Sequence, residues 1–264
     1  TGNLIDLNES LNKINIPLTV INSNDFNDNE LKIIEIVNER GINKVFWNNM
    51  FGEDEQLRDL NVSKMLSQKN IEFETFNDQV VFNPGTIKTQ ENKPYSVFTP
   101  FKRRWIENFN IDLLDIEFEY SKKDDSGITS NINDFNFNYK KIHSVDMSIW
   151  KIGESNALSI MHEYLNEKIY RYSVDRNDPI IDGTSKLSPY LASGIISPKR
   201  CILEAMKKNN FELDSGEKGI TKWIDEIVWR EFYKNIMFCF PKVAKGQPFQ
   251  AVSYTHLRAH ETAS

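Results

Sequence analysis

The sequence DGTSKLSPYLASG at residues 182–194 decides how the rest of the chain is interpreted. It places the hydroxyl groups of Thr184, Ser185 and Ser188 in one short stretch, where each can donate or accept a hydrogen bond. The glycine before them, Gly183, predicts a backbone geometry that other residues resist. Ser188 is followed by proline, which predicts a helix start with serine at the N-cap and proline at the first helical position.

The turn also has features that favour an anion. Lys186 adds a full positive charge, and a helix N-terminus carries unpaired N–H groups that attract groups such as phosphate. The residues alone leave two interpretations open, because a serine-rich turn between helices is more often structural than a binding site. A second helix start at Ser197 and Pro198 predicts a helix that continues to about Asn209.

A second stretch, WIDEIVWREFYKNIMFCFP at residues 223–241, predicts most of a helix over residues 220–240. Trp223, Glu226 and Arg230 are spaced i, i+3 and i+7, so they lie on one helix face. Here too the residues alone allow two interpretations. In the first interpretation, Glu226 and Arg230 form an ordinary surface ion pair. In the second, this helix face belongs to a functional site.

Together the two stretches resemble the flavin-binding core of the DNA photolyase/cryptochrome family, whose members carry GTS-(R/K)-LSPYL-x-x-G and then W-x-x-E-(L/I)-x-WREFY. The resemblance extends from near the start of the chain to about Gln250. The sequence KPYSVFTPF at residues 93–101 is similar to the segment that closes the N-terminal domain in that family. We expect this segment to serve packing rather than chemistry.

The resemblance implies FAD as cofactor and UV-damaged DNA as partner. It implies a catalytic role for Glu226 at the interface between substrate and flavin, and DNA contacts for Arg176, Glu226 and Arg230. Many members carry arginine where this chain has Lys186, so the charge is kept but the planar guanidinium fork is lost. The implied FAD-binding residues are Tyr172, Thr184, Ser185, Lys186, Leu187, Ser188 and Trp223.

A smaller signal lies in FGEDE at residues 51–55, directly after a predicted strand. It resembles the segment in which folate-type members hold a 5,10-methenyltetrahydrofolate antenna, with Glu55 binding the pterin and Lys245 as a second contact. An ordinary acidic helix start, favoured by the helix dipole, explains the same residues. Both interpretations stay open.

The expected fold is an α/β N-terminal domain with a parallel, Rossmann-like sheet, followed by an all-α FAD-binding domain. The basis is that helix and strand signals alternate early in the chain, whereas the chain after residue 154 has helical periodicity throughout. The predicted helices of the first part span residues 4–14, 29–40 and 53–69, and the predicted strands span 18–21, 44–47 and 71–76.

We expect an antenna domain over residues 1–109, an interdomain linker over 110–150 and part of the FAD domain over 151–250. Residues 251–264 resemble the translation of a sequencing-library adapter and are left out of fold reasoning. His256 and His260 in that tail are therefore not interpreted as a metal site. The chain opens without methionine, and we expect it to lack its first strand and the second half of the flavin domain, and to be inactive alone.

The bulk composition sets few limits. The 264 residues carry a formal net charge of −6 and a pI of about 5.4, so DNA binding requires a local basic face. Cys201 and Cys239 match no metal or redox spacing, which indicates reduced thiols of a cytoplasmic protein. No apolar run reaches membrane-spanning length, and we expect a monomer.

The resemblance thus predicts light-driven repair of cyclobutane pyrimidine dimers by electron transfer from reduced FAD. Two alternatives stay open. One is a cryptochrome-type photoreceptor with the same fold and cofactor, and the other is a nucleotide-binding α/β protein without light chemistry. The sequence leaves open whether the lesion is a cyclobutane dimer or a 6-4 product.

Overall fold

The structure is a computed structural model that describes residues 2–21, 23, 28–114, 120–124, 126–130, 132 and 149–247. The tail after residue 247, with His256 and His260, and much of the predicted linker lie outside the described residues. The helices are α1 (Gly2–Asn12), α2 (Asn29–Glu39), α3 (Glu53–Gln68), α4 (Phe98–Asn108), α5 (Glu154–Glu167), α6 (Tyr172–Asp175), α7 (Ser188–Ala192), α8 (Pro198–Lys208) and α9 (Lys218–Cys239). The strands are β1 (Lys44–Asn48) and β2 (Glu72–Phe76), and short 3-10 turns span Ile111–Leu114, Ile169–Arg171 and Pro241–Lys245.

The chain forms two compact units, and each is discontinuous in sequence. The first unit comprises residues 1–24 and 114–222, and the second comprises residues 25–113 and 223–264. The division falls within α9, after Lys222. The domain limits expected from the sequence stay predictions.

The second unit contains the predicted parallel sheet. Strands β1 and β2 pair in register from Lys44 opposite Glu72 to Asn48 opposite Phe76. A parallel pair needs a crossover connection, and the 16-residue helix α3 provides it. Apolar side chains of α2 and α3 form a buried cluster against which the sheet packs, comprising Ile34, Val37, Val62 and Leu66 with Val45, Trp47 and Ile71.

The strand predicted over residues 18–21 is wrong. These residues are not in a strand, and the N–H of Leu18 donates to Oγ of Ser130 at 2.9 Å. A strand is defined by its ladder of backbone hydrogen bonds, which an apolar run does not provide by itself. In the preceding helix α1, Leu7 is 45% exposed and the buried residue is Asn8.

The first unit is helical as expected. Met161, Leu165 and Ile169, which are four residues apart, are fully buried, and α5 packs against α8. Helix α8 starts where the sequence predicts. Ser197 is its N-cap, and its Oγ accepts a hydrogen bond from the Lys199 N–H at 3.2 Å.

In the second unit, α9 packs against α4 through aromatic rings. Phe98 stacks on Trp229 with ring centroids 3.7 Å apart, and Phe101 lies 5.1 Å from Phe232. The segment at residues 93–101 thus has the packing role expected of it. Across the part of the chain that is described, no helix combines the length and apolarity needed to cross a bilayer.

Candidate functional site

The turn at residues 182–188 lies in the first unit and differs in one detail from the expected geometry. A Cβ added to Gly183 would lie 2.6 Å from Cβ of Asp175 and 3.2 Å from its carbonyl carbon. Glycine is thus required here because the two segments approach closely, and Gly183 is not in the left-handed region. The residue that adopts a left-handed backbone is Lys186, at φ 54°.

The helix start after the turn also differs from the prediction. Helix α7 begins at Ser188 and has only five residues, and its N-cap is Leu187 with a helical backbone and no side-chain cap. The prediction that Ser188 is the N-cap is therefore wrong, because the backbone is already helical at Leu187, whose side chain is almost fully buried. Such a short helix makes a weak dipole, so any anion affinity must come from side chains.

Several predicted residues line one cavity of about 160 Å³ in the first unit. Thr184, Ser185 and Lys186 contribute two hydroxyls and an ammonium group, whereas Leu187 and Ser188 are not part of its lining. The other lining residues are Ile149, Lys151, Ile160, Glu163, Tyr164, Lys168, Asp182 and Tyr190. These donors are the kind that bind a phosphate group.

Tyr172 and Arg176 lie close together beside this cavity. The ring of Tyr172 is almost fully buried and packs edge-on against Tyr164, with centroids 6.3 Å apart. The guanidinium of Arg176 lies 5.3 Å from the centre of the Tyr172 ring, within cation–π range. The structure therefore brings two predicted residues into contact.

Charge is concentrated at Asp182, which the sequence did not single out. Its carboxylate accepts hydrogen bonds from Lys168 at 2.9 Å and from Lys186 at 2.7 Å. These two ammonium groups, first Lys186 and then Lys168, hold the pKa of Asp182 below its usual value. Lys168 was missed because it is separated from the motif in sequence and is one basic residue among several.

The predicted helix face lies on α9 in the second unit. Trp223 is buried at 4% exposure, and Glu226 is half-buried. Arg230 is also half-buried, and its Nη1 donates to the carbonyl oxygen of Gln79 at 2.6 Å. Part of the hydrogen-bonding capacity of Arg230 thus serves the fold.

Glu231 is the most buried carboxylate of this helix, and sequence reasoning missed it. Its carboxylate accepts from the N–H of Val81 at 2.7 Å, the N–H of Phe82 at 3.0 Å and Nε1 of Trp105 at 2.7 Å. Burial raises the pKa of Glu231 to about 7, while the three donors oppose the shift. The sequence feature that could have indicated this buried role is a carboxylate within a largely apolar helix.

A second cavity, of about 310 Å³, lies within the second unit. It brings Glu55 and Lys245 together, as the folate interpretation requires, although they are far apart in sequence. The lining residues are Met50, Phe51, Gly52, Glu53, Asp54, Glu55, Lys234, Met237 and Lys245. Lys245 forms an ion pair with Glu53 at 2.8 Å, and a Cβ on Gly52 would overlap the Glu55 carboxylate.

Lys234 is a further cation in this cavity that the sequence did not indicate. Its Nζ lies 5.8 Å from the centre of the Phe51 ring. Burial lowers the pKa of Lys234, and the nearby Arg230 lowers it further. The cavity thus combines flat apolar walls with both acidic and basic groups.

Within the described residues, no group of three or more His, Cys, Asp or Glu side chains could hold a metal ion. Cys201 and Cys239 are not joined in a disulfide.

Comparison with known proteins gives consistent results. Residues 1–119 match the family model described as DNA photolyase. The deoxyribodipyrimidine photo-lyase of Buchnera aphidicola subsp. Acyrthosiphon pisum is 32% identical over 92% of this chain and 50% of its own length. The enzyme of the same name from Escherichia coli strain K12 is 28% identical, over 89% of this chain and 49% of its own. The chain spans about half the length of these curated relatives.

Two solved structures share the fold. A bacterial class III photolyase from Agrobacterium tumefaciens aligns with a TM-score of 0.69 at 23% identity, covering 91% of this chain and 49% of that structure. The cryptochrome of Synechocystis sp. PCC6803 aligns with a TM-score of 0.64 at 18% identity, covering 90% and 50%. These matches confirm the resemblance to the DNA photolyase/cryptochrome family that the two motif stretches indicate.

Proposed function

We propose that the natural protein containing this chain is a light-driven DNA repair enzyme, a deoxyribodipyrimidine photo-lyase that splits cyclobutane pyrimidine dimers. The observation that carries the proposal is the GTS-K-LSPYL turn followed by the W-x-x-E-x-x-WREFY helix, in a chain whose curated relatives bear that name. Since the chain spans about half of those relatives, the proposal concerns the whole natural protein.

We propose FAD as the cofactor, held on its phosphate side by the turn. The hydroxyls of Thr184 and Ser185 and the ammonium of Lys186 line one cavity, and this donor set fits a diphosphate. Tyr172 and Trp223 would contact the same cofactor. Reduced FAD, when bound, supplies upon excitation the electron that splits the dimer.

The chain's own residues would then bind and orient the damaged DNA. Glu226 would contact the dimer as the catalytic residue, and Arg176 and Arg230 would contact DNA. Phosphate contacts of this kind make the affinity sensitive to salt. A dimer must also leave the base stack to reach the active site.

We further propose that the second cavity holds a 5,10-methenyltetrahydrofolate antenna. Support comes from Glu55 and Lys245, which line the same cavity despite their separation in sequence. A carboxylate can accept the paired N–H donors of a pterin edge, and Phe51 and Met237 offer apolar contact. We also propose a monomeric cytoplasmic protein, in which Cys201 and Cys239 stay reduced.

The experiment uses the natural protein purified under dim red light. Its flavin content is read from the visible absorption spectrum, and dimer loss in a UV-irradiated oligonucleotide is compared between blue light and darkness. We expect bound flavin and light-dependent repair. Replacing Glu226→Gln should slow repair by about tenfold or more, since a hydrogen bond to a charged group is worth about 1.5–3 kcal/mol.

A matched variant is Glu91→Gln, which neutralises an exposed carboxylate that is not among the proposed site residues and should repair at the unchanged rate. Flavin binding without light-dependent repair of any dimer would favour the photoreceptor alternative. Absence of flavin from the purified protein would favour the nucleotide-binding alternative.

A further inference from the structure

Two ammonium groups converge on one carboxylate inside the cavity of the first unit. Nζ of Lys168 lies 2.9 Å from Oδ2 of Asp182, and Nζ of Lys186 lies 2.7 Å from Oδ1 of the same residue. Lys168 is the C-cap residue of α5, whereas Lys186 comes from the turn. Groups from two separate segments thus meet at a single anion.

The backbone of Lys186 is unusual in a way that bears on this arrangement. It lies in the left-handed region at φ 54°, a backbone conformation that residues other than glycine rarely adopt. A conformation of this kind persists where surrounding structure enforces it, and such residues cluster at binding sites. From this backbone position the side chain reaches the carboxylate that Lys168 also contacts.

The cavity lining is basic in sum, although the chain as a whole is acidic. Lys151, Lys168 and Lys186 face Glu163 and Asp182, which leaves one net positive charge. The single negative charge of Asp182 neutralises only one of the two ammonium charges that contact it. The hydroxyls of Thr184 and Ser185 add neutral hydrogen-bond donors. An anionic ligand such as a diphosphate would offset this positive charge.

We propose that Lys168 is a cofactor-binding residue that acts with Lys186 as a two-ammonium clamp on a diphosphate, and that Asp182 positions both amines. The inference rests on the proposed FAD function and adds a residue that the motif does not contain. Asp182 has a positioning role because its contacts are to the lysines and not to the reacting atoms.

The test uses the natural full-length protein, stripped of flavin and titrated separately with FAD and riboflavin. Lys168→Gln should weaken FAD binding by about tenfold, which corresponds to one charge-assisted hydrogen bond. Riboflavin has no phosphate, so its affinity should change by less than about twofold. Lys168→Arg should restore most of the FAD affinity, because it restores the charge.

The matched control is Lys208→Gln. Lys208 lies outside the cavity and bonds to Oδ1 of Asn166 at 2.6 Å, so its loss should leave both affinities unchanged. Partly exposed ion pairs contribute little to stability, so Lys168→Gln should fold. If circular dichroism shows that Lys168→Gln is misfolded, Lys168→Met is used in its place, because methionine keeps the aliphatic part of the side chain.

Unchanged FAD affinity in the Lys168 variants, or an equal loss for FAD and riboflavin, would overturn the inference while leaving the proposed function intact. If the unaltered protein binds no FAD, both the inference and the proposed function are wrong. A selective loss of FAD affinity supports the clamp.

Discussion

Nε1 of Trp105 donates a hydrogen bond of 2.7 Å to Oε1 of Glu231, and the N–H of Phe82 donates to the same oxygen. The other oxygen accepts from the N–H of Val81. One buried carboxylate therefore connects α4, the loop before it and α9 within the second unit. Asn235 extends the connection, because its Oδ1 accepts from the N–H of Gly85 at 2.7 Å.

The burial of Glu231 predicts a pH dependence of stability. Burial raises its pKa from the usual 4.5 to about 7, so the folded state holds the proton more tightly than the unfolded chain. The stabilisation is fully present below about pH 4.5 and is lost as the pH rises through about 7. The free energy of unfolding should fall by about 3 kcal/mol across this range.

Urea unfolding of the natural protein at several pH values from 4.5 to 8 measures this slope. Glu231→Gln should flatten it, because the substituted side chain cannot titrate, whereas Glu91→Gln should leave it as it is. If the Glu231 variant keeps the full slope, another group carries the pH dependence.

Loss of the indole donor should weaken the same connection. At pH 8, where Glu231 is largely ionised, Trp105→Phe keeps most of the apolar volume but removes one hydrogen bond to a buried charged group, which costs about 1.5–3 kcal/mol. Thermal unfolding measures the loss. Tyr233→Phe, at a ring that is 59% exposed, is the control and should melt within a degree or two of the unaltered protein; an equal drop in both would contradict the account.

Gly183 and Thr184 should separate stability from flavin binding. Gly183→Ala introduces a Cβ 2.6 Å from Cβ of Asp175 and should destabilise the protein by about 1–3 kcal/mol, because packed neighbours must move. Thr184→Ala, at an exposed position in the same turn, should retain stability and release FAD faster during dialysis. The prediction fails if Gly183→Ala melts at the same temperature as Thr184→Ala.

The cavity at the start of α3 predicts a separable antenna. Glu55→Gln should remove methenyltetrahydrofolate absorption from the reconstituted natural protein and leave its flavin absorption unchanged. Lys245→Gln should weaken folate binding less, since Lys245 already forms an ion pair with Glu53. The control is Glu72→Gln on the exposed strand β2. Full folate retention by Glu55→Gln would show that the cavity serves another purpose.

The sequence predicted most of what depends on local patterns. Helix periodicity placed α9 to within two residues, and the alternation of elements predicted the parallel pair β1 and β2. The strand at residues 18–21 failed because a strand requires a partner, which no local pattern specifies. Ser188 failed as N-cap because its neighbour Leu187 is already helical, with a buried side chain.

The missed residues depend on contacts between distant segments. Lys168 is notable only through its contact with Asp182, 14 residues away. Glu231 is notable only because its partners Val81 and Trp105 lie more than 100 residues earlier. Family motifs located the turn and the helix, but long-range hydrogen bonds are visible only once the chain is folded.

The most direct test of the account is dimer repair by the natural protein in the light and in the dark. The account predicts bound flavin and loss of cyclobutane dimers from an irradiated oligonucleotide under blue light but not in darkness. It also predicts that Glu226→Gln lowers the repair rate by about tenfold or more. A flavin-loaded protein that leaves every dimer intact under blue light would contradict the central claim.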